Sequence, residues 1–149
     1  MIEKATIKDM ESIHKLLLQA SRRGGVLPRA FVDLYENLRD FFIYKEKNKI
    51  VGCCALHIVW RDLAEIRSLA VDPHYRKRGI GRKLVETALA EAKSLGITQV
   101  FALTNRRVFF EKVGFSLIDK NSLPHKIWSD CMNCPKFPDC DEEALVFKT

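Results

Sequence analysis

The segment Val71-Asp72-Pro73-His74-Tyr75-Arg76-Lys77-Arg78-Gly79-Ile80-Gly81-Arg82 constrains this chain more than any other. It joins an apolar run, Leu63 to Val71, to the most regular helical pattern in the sequence through a turn with two glycines and a cluster of cations. A strand that passes through glycine into a helix brings unpaired N–H groups and the positive end of the helix dipole together, which suits phosphate oxygens. A diphosphate is the natural guest. The lysine and Ser/Thr of a Walker loop are missing, as is the third glycine of the dinucleotide fingerprint. The plainer alternative is a tight turn with solvated arginines.

The rest of the chain supplies a frame for that loop. Apolar residues at Met10, Ile13, Leu16, Leu17 and Ala20 follow Asp9 at helical spacing, and Gly24-Gly25 stops them. A first strand near Ile2 precedes this helix. A shorter helical stretch is expected from Pro28 to Leu38, with Phe31, Leu34, Tyr35 and Leu38 on its apolar side. Phe41 to Tyr44 and Ile50 to Trp60 read as a hairpin across the polar turn Lys45-Glu46-Lys47-Asn48-Lys49. After the Leu63 to Val71 strand, Gly79 to Leu95 predicts a helix, with Gly96 at its end. Strand Ile97 to Leu103, a short helix around Val108 to Lys112, strand Phe115 to Asp119 and a last strand Ala144 to Lys148 complete the order. Such mixing of hairpins and helices argues a single α/β or α+β domain over residues 1–149.

Within Glu65-Ile66-Arg67-Ser68-Leu69-Ala70-Val71 the apolar alternation slips phase. Ile66 is on one parity, Leu69 and Val71 on the other. A β-bulge at Arg67-Ser68 produces that slip and splays the strand from its neighbour, so that an extended amide-bearing ligand can bond to the backbone. An ordinary strand with one solvent face is the alternative.

Composition narrows the partners. The formal net charge is +6, but five cations fall in the loop at Arg76, Lys77, Arg78, Arg82 and Lys83, while the following helix carries Glu86, Glu91 and Lys93. A local basic loop suits a phosphate ligand better than a duplex, which argues against nucleic acid. No apolar run approaches the roughly 18 residues of a membrane span, and the start lacks a signal-peptide core, so the cytoplasm is the expected compartment. Three of the five cysteines lie in Cys131-Met132-Asn133-Cys134-Pro135-Lys136-Phe137-Pro138-Asp139-Cys140. With His125 they fit a Cys₃His zinc knuckle within the Cys-rich segment 125–141. Asp141, Cys53 or Cys54 would serve equally as a fourth ligand, and an iron–sulfur centre, a packed loop with free thiols and a redox role are the other readings. Cys53-Cys54, in an apolar strand, read as small buried side chains, and His14 and His57 as packing residues.

Taken together, these segments resemble the GNAT N-acetyltransferase superfamily. Arg76-Lys77-Arg78-Gly79-Ile80-Gly81 is similar to its Q/R-x-x-G-x-G/A loop, and Phe110-Glu111-Lys112-Val113-Gly114-Phe115 to its aromatic-glutamate-lysine-x-Gly-Phe element. Ile2 to Leu17 resembles its first strand and helix. The resemblance implies a GNAT fold, with a mostly antiparallel central sheet splayed at strands 4 and 5 and flanked by helices. It also implies acetyl-CoA as donor, the pyrophosphate on the loop from Arg76 through Lys77, Arg78, Gly79, Ile80 and Gly81 to Arg82, and the pantetheine along Leu69, Ala70 and Val71.

Among members of that superfamily, short amino-acid acetyltransferases of the N-acetylglutamate synthase type are the nearest likeness. Gly25-Val26-Leu27-Pro28-Arg29 resembles their Gly-Ile-Leu-x-Arg loop, Glu65 their strand glutamate, Phe101-Ala102-Leu103-Thr104-Asn105-Arg106 their Phe-x-Leu-Thr-x-Arg segment, and Leu123-Pro124 their late Leu-Pro. Glutamate as acceptor brings two carboxylates, for which Arg29, Arg67 and Arg106 offer guanidinium forks, with Asn105 beside them. Glu65 is the candidate base, directly or through a water. Where many members carry a tyrosine that protonates the leaving thiolate, Phe110 stands here, which leaves solvent or Tyr75 for that step. Ile127 and Trp128 replace basic residues of the acceptor wall. The expectation is N-acetylation of the α-amino group of L-glutamate, the first step of arginine biosynthesis, in a chain whose homodimerisation stays open. Another amine acceptor (a protein N-terminus, lysine or polyamine) and a CoA-sensing or nucleic-acid-binding module without turnover are the alternatives.

Overall fold

In the computed structural model, residues 1–24, 26, 28–123 and 142–149 are described. Seven strands form one sheet: β1 (Ile2–Lys4), β2 (Phe41–Glu46), β3 (Lys49–Trp60), β4 (Leu63–Val71), β5 (Gln99–Thr104), β6 (Ser116–Ile118) and β7 (Glu143–Lys148). Their order across the sheet is β1-β2-β3-β4-β5-β7-β6. All neighbours are antiparallel except β4 and β5, which run parallel. Helices α1 (Met10–Arg22) and α2 (Phe31–Glu36) precede β2; α3 (Ile80–Ser94) and α4 (Arg107–Val113) flank β5 in the chain.

The period of each helix decides what it buries. Met10, Ile13, Leu16, Leu17 and Ala20 of α1 pack with Leu34, Phe41, Ile43, Cys53, Ala55 and Ala70 on one face of the sheet. Ile80, Leu84, Val85, Ala88, Leu89 and Ala92 of α3 pack with Cys54, Leu56, Ile66, Val100 and Ala102 on the other. Burying one such large apolar side chain stabilises the fold by about 1.5–3 kcal/mol. Alternation along β3 therefore divides the adjacent thiols: Cys53 belongs to the α1 face and Cys54 to the α3 face.

Two departures from regular geometry shape the centre of the sheet. Tyr44 to Lys49 turns through Lys47 and Asn48, both at left-handed φ (49° and 65°), as a tight two-residue hairpin requires. On β4, Ser68 has φ 54°, and the register against β3 jumps there: Ala55 faces Arg67, while Cys53 faces Ala70. β4 thus carries one extra residue, the bulge expected from its phase slip. The extra residue resolves that slip, because Ile66, Leu69 and Val71 all reach the α3-side core.

Candidate active site

The parallel ladder between β4 and β5 ends at Glu65 and Phe101. Beyond it, among the described residues, residues 66–71 of β4 pair with β3 alone, and residues 102–104 of β5 pair with β7 alone. The two strands diverge into a gap that exposes one backbone edge of each, Leu69 to Val71 on one side and Ala102 to Thr104 on the other. An extended ligand with amide groups can bond to such an edge as a short extra strand does.

At the wide end of the gap the glycine loop begins. Asp72 Oδ1 accepts from the N–H of His74 at 2.9 Å and caps a single 3-10 turn, Pro73–Tyr75. Lys77 and Gly79 then take left-handed φ (64° and 76°), which reverses the chain sharply into α3. Among the described residues no side chain caps α3, so the N–H groups of its first turn are open to a ligand at the positive end of the helix. Gly79 is required by its backbone angle. Gly81 is different: a Cβ there would lie 3.5 Å from the Phe109 ring, an ordinary contact. The protein has room for alanine at Gly81, so packing alone does not require glycine there. Of the loop cations, Arg78 lies over the Tyr75 ring at 5.0 Å, and Arg82 pairs loosely with Glu86 at 3.7 Å.

A shallow recess, open to solvent, lies on the α1 and α2 face of the sheet. Its wall includes Arg29, Asp33, Asp40, His57, Arg67 and Ser68. Arg29 and Arg67, both expected as acceptor ligands, are thus brought together from positions far apart in the chain. Arg29 Nη1 lies 3.4 Å from Asp33 Oδ2, and Arg67 Nε donates to Glu65 Oε1 at 2.6 Å. Glu65 sits behind Arg67, nearly buried, opposite Phe101 on β5. Burial pushes its carboxyl above the usual carboxylate range, against the smaller downward pull of Arg67's charge and hydrogen bond and of the charges of Arg29 and His57. A carboxyl raised in this way holds a proton more readily than an ordinary glutamate, which suits it to act as a base.

Asn105 and Arg106 lie elsewhere, at the end of β5. Asn105 Nδ2 donates to the carbonyl of Gly24 at 3.1 Å, and Arg106 lies over Phe109 at 5.5 Å. Burial lowers the pKa of Arg106, and so do the charges of Arg76 and Arg23. Three guanidinium groups therefore face one another between the end of α1, the glycine loop and α4. Phe109 touches both Gly81 and Arg106, which puts Arg106 beside the loop rather than among the residues lining the recess. Phe110 is buried in edge-to-face contact with Phe109 and Phe115 and offers no proton.

Sequence reasoning passed over His57 as a packing residue. The structure shows its Nδ1 2.8 Å from Asp40 Oδ2, on the recess wall and directly across the β3–β4 ladder from Glu65. Counting back from the Arg61-Asp62 turn would have paired Ile58 with Glu65; the register shift between Ile58 and Trp60 brings His57 there instead, and nothing local pointed to Asp40. Cys53 and Cys54 are free, buried thiols, as expected. His125, Cys131, Cys134 and Cys140, with Ile127, Trp128, Pro124 and Asp141, lie outside the described residues, as do Gly25 and Leu27. Among the described residues no group of three or more His, Cys, Asp or Glu is placed to hold a metal, and no helix is long and apolar enough to cross a membrane.

A sheet parted at a parallel pair, with a glycine loop leading into a helix at the mouth, matches an acyl-CoA-dependent transferase fold. Residues 10–115 match the family model for the acetyltransferase (GNAT) family, and the chain belongs to that family. It is 41% identical over 145 residues to an uncharacterized N-acetyltransferase of Chlorobaculum tepidum, covering 97% of this chain and 94% of the relative. It is 33% identical over 133 residues to an amino-acid acetyltransferase of Mycobacterium tuberculosis, covering 87% of this chain and 76% of the relative. The N-acetylglutamate synthase of Neisseria gonorrhoeae, solved with coenzyme A and N-acetyl-glutamate, superposes with a TM-score of 0.91 at 27% identity, over 99% of this chain. This chain spans only 34% of that synthase's length.

Proposed function

We propose that this protein transfers the acetyl group of acetyl-CoA to the α-amino group of a free amino acid, with L-glutamate as acceptor, the reaction that opens arginine biosynthesis. The observation that carries the reading is the placement of the buried Glu65 carboxyl where the β4–β5 ladder ends, behind a recess that holds Arg29 and Arg67. The names of the M. tuberculosis relative and the gonococcal synthase support it.

In this reading the pyrophosphate binds at Arg76 to Arg82, and the pantetheine amides bond along Leu69, Ala70 and Val71. The thioester carbonyl reaches the apex of the gap, where backbone N–H groups polarise it. Arg29 turns from its long, half-exposed contact with Asp33 to an acceptor carboxylate, a rearrangement that costs little because such surface pairs are worth about 0–1 kcal/mol. Arg67, already tied to Glu65, couples acceptor binding to the base. Asn105 and Arg106, outside the recess lining, meet the acceptor only where it extends toward the loop. Glu65 takes a proton from the acceptor ammonium, and the amine attacks the thioester carbon. The departing sulfur takes its proton from the amide nitrogen through solvent or Tyr75.

Coenzyme A release with a panel of free amino acids tests the assignment. Turnover should be fastest with glutamate; activity on another amine with none on glutamate removes the acceptor and keeps the class. One observation favours that second outcome: Asp33 and Asp40 line the same recess and suit a more cationic acceptor. A structural zinc on His125, Cys131, Cys134 and Cys140 belongs to the same proposal. Metal analysis of protein purified without added metal should find stoichiometric zinc; no metal together with three alkylatable thiols ends that part.

A further inference from the structure

A buried base must give up its proton after every turnover, and Glu65 has few exits. Phe101, fully buried, faces it on β5. Arg67 holds one carboxylate oxygen but is a permanent donor and takes no proton. Across the ladder stands His57, and side chains so opposed have Cβ atoms about 5 Å apart on the same face. With 29% of its side chain exposed, His57 stands between Glu65 and the open recess. Its Nδ1 is 2.8 Å from Oδ2 of Asp40. A carboxylate only accepts, so Nδ1 carries the hydrogen and Nε2 of the neutral ring is left as a proton acceptor.

We propose that Asp40 and His57 form a relay that carries the proton from Glu65 to solvent, which makes His57 a positioning residue for the acetyl transfer proposed above, on which this inference rests. The proton balance is complete. The acceptor –NH₃⁺ loses one proton to the Glu65 carboxylate; the amine forms its N–C bond, the C–S bond breaks, and a second nitrogen proton reaches sulfur as the free thiol. Glu65 then passes its proton to Nε2 of His57. The imidazolium, held at Nδ1 by Asp40, releases a proton to water or a buffer base, so one proton leaves per acetyl group transferred. Five charged groups surround the ring: Glu65 and Arg67 from β4, Asp40 from the turn before β2, and Arg29 and Asp33 around the start of α2.

Two variants test the relay. In His57→Asn the side-chain amide can still donate to Asp40 but cannot carry a proton. Its kcat should fall on the order of tenfold to a hundredfold, less than the full worth of a general base, with KM for acetyl-CoA unchanged. Added imidazole, at constant pH and ionic strength, should restore much of the loss in proportion to its concentration. Asp40→Asn, measured alongside in case His57→Asn does not fold, should lose less and respond to imidazole in the same way. Wild-type kcat in the folded variants, or a loss that imidazole does not lessen, overturns the relay alone. Failure of the unmodified protein to release coenzyme A with any amino acid overturns the function beneath it.

Discussion

In the proposed reaction, the glycine loop and the recess would solve two binding problems by opposite routes. Residues 71–82 are contiguous, and their work would be done by backbone: a left-handed Gly79 and a first turn of α3 that no described side chain caps. The recess is assembled from Arg29 before α2, Asp40 before β2, His57 on β3 and Arg67 on β4, and its work is done by side chains. A phosphate group presents similar oxygens whatever it is attached to, so a local backbone device suffices for it. An acceptor must be told from other amines, which takes charged groups converging from several elements.

The sharpest way to separate the two regions is Glu65→Gln, which should lower kcat by about 10²- to 10⁴-fold while KM for acetyl-CoA stays near its original value. Coenzyme A release followed with a thiol reagent reads both. Next in size is the pH dependence. Burial raises the Glu65 pKa and the base form is the carboxylate, so kcat/KM should fall on the acid side at a pH above that of an ordinary glutamate. Arg67→Met removes the charge and hydrogen bond that hold that pKa down, and the acid limb should move to higher pH. An unmoved limb would uncouple Arg67 from the base.

On the loop side, Gly79→Ala should cost roughly 1–2 kcal/mol of stability, because alanine is strained at φ 76°, and weaken acetyl-CoA binding as well. Gly81→Ala should raise KM for acetyl-CoA several-fold with no loss of melting temperature; alanine gains up to about 1 kcal/mol over glycine inside a helix, and its Cβ fits. The smallest effect concerns the core. Burial pushes the Cys53 thiol up to about 12 and the Cys54 thiol higher still, so iodoacetamide should leave both unmodified in the native protein. Labelling of either, read by peptide mass spectrometry, would show that the sheet opens between α1 and α3.

Much of the frame was legible because it follows from short-range pattern. Strand β4 runs over the expected Leu63 to Val71, α3 begins one residue after Gly79 and ends one before Leu95, and the parity slip at Arg67-Ser68 became the bulge. The short helix expected from Pro28 is confined to Phe31–Glu36, followed by a separate 3-10 turn at Leu38–Asp40. That break matters: it is Asp40, at the end of the 3-10 turn, that reaches His57. The three candidate arginines read alike in sequence, each a cation in a motif-like segment. Folding put Arg29 and Arg67 on one wall and left Arg106 against Phe109, near Arg76 and Arg23.

By itself, the sequence determined the loop, the helix it opens and the fault in β4, since each depends on backbone angles and hydrogen bonds between residues a few positions apart. It determined the two faces of the sheet as well, through the periods of α1 and α3. Which charges meet was decided only by the tertiary structure. The Glu65–Arg67 pair, its cross-strand neighbour His57 and the Asp40 carboxylate owe their meeting to strand register and to the packing of α2. Desolvation of Glu65 against Phe101 exists only once β5 lies beside β4, a contact no local pattern encodes.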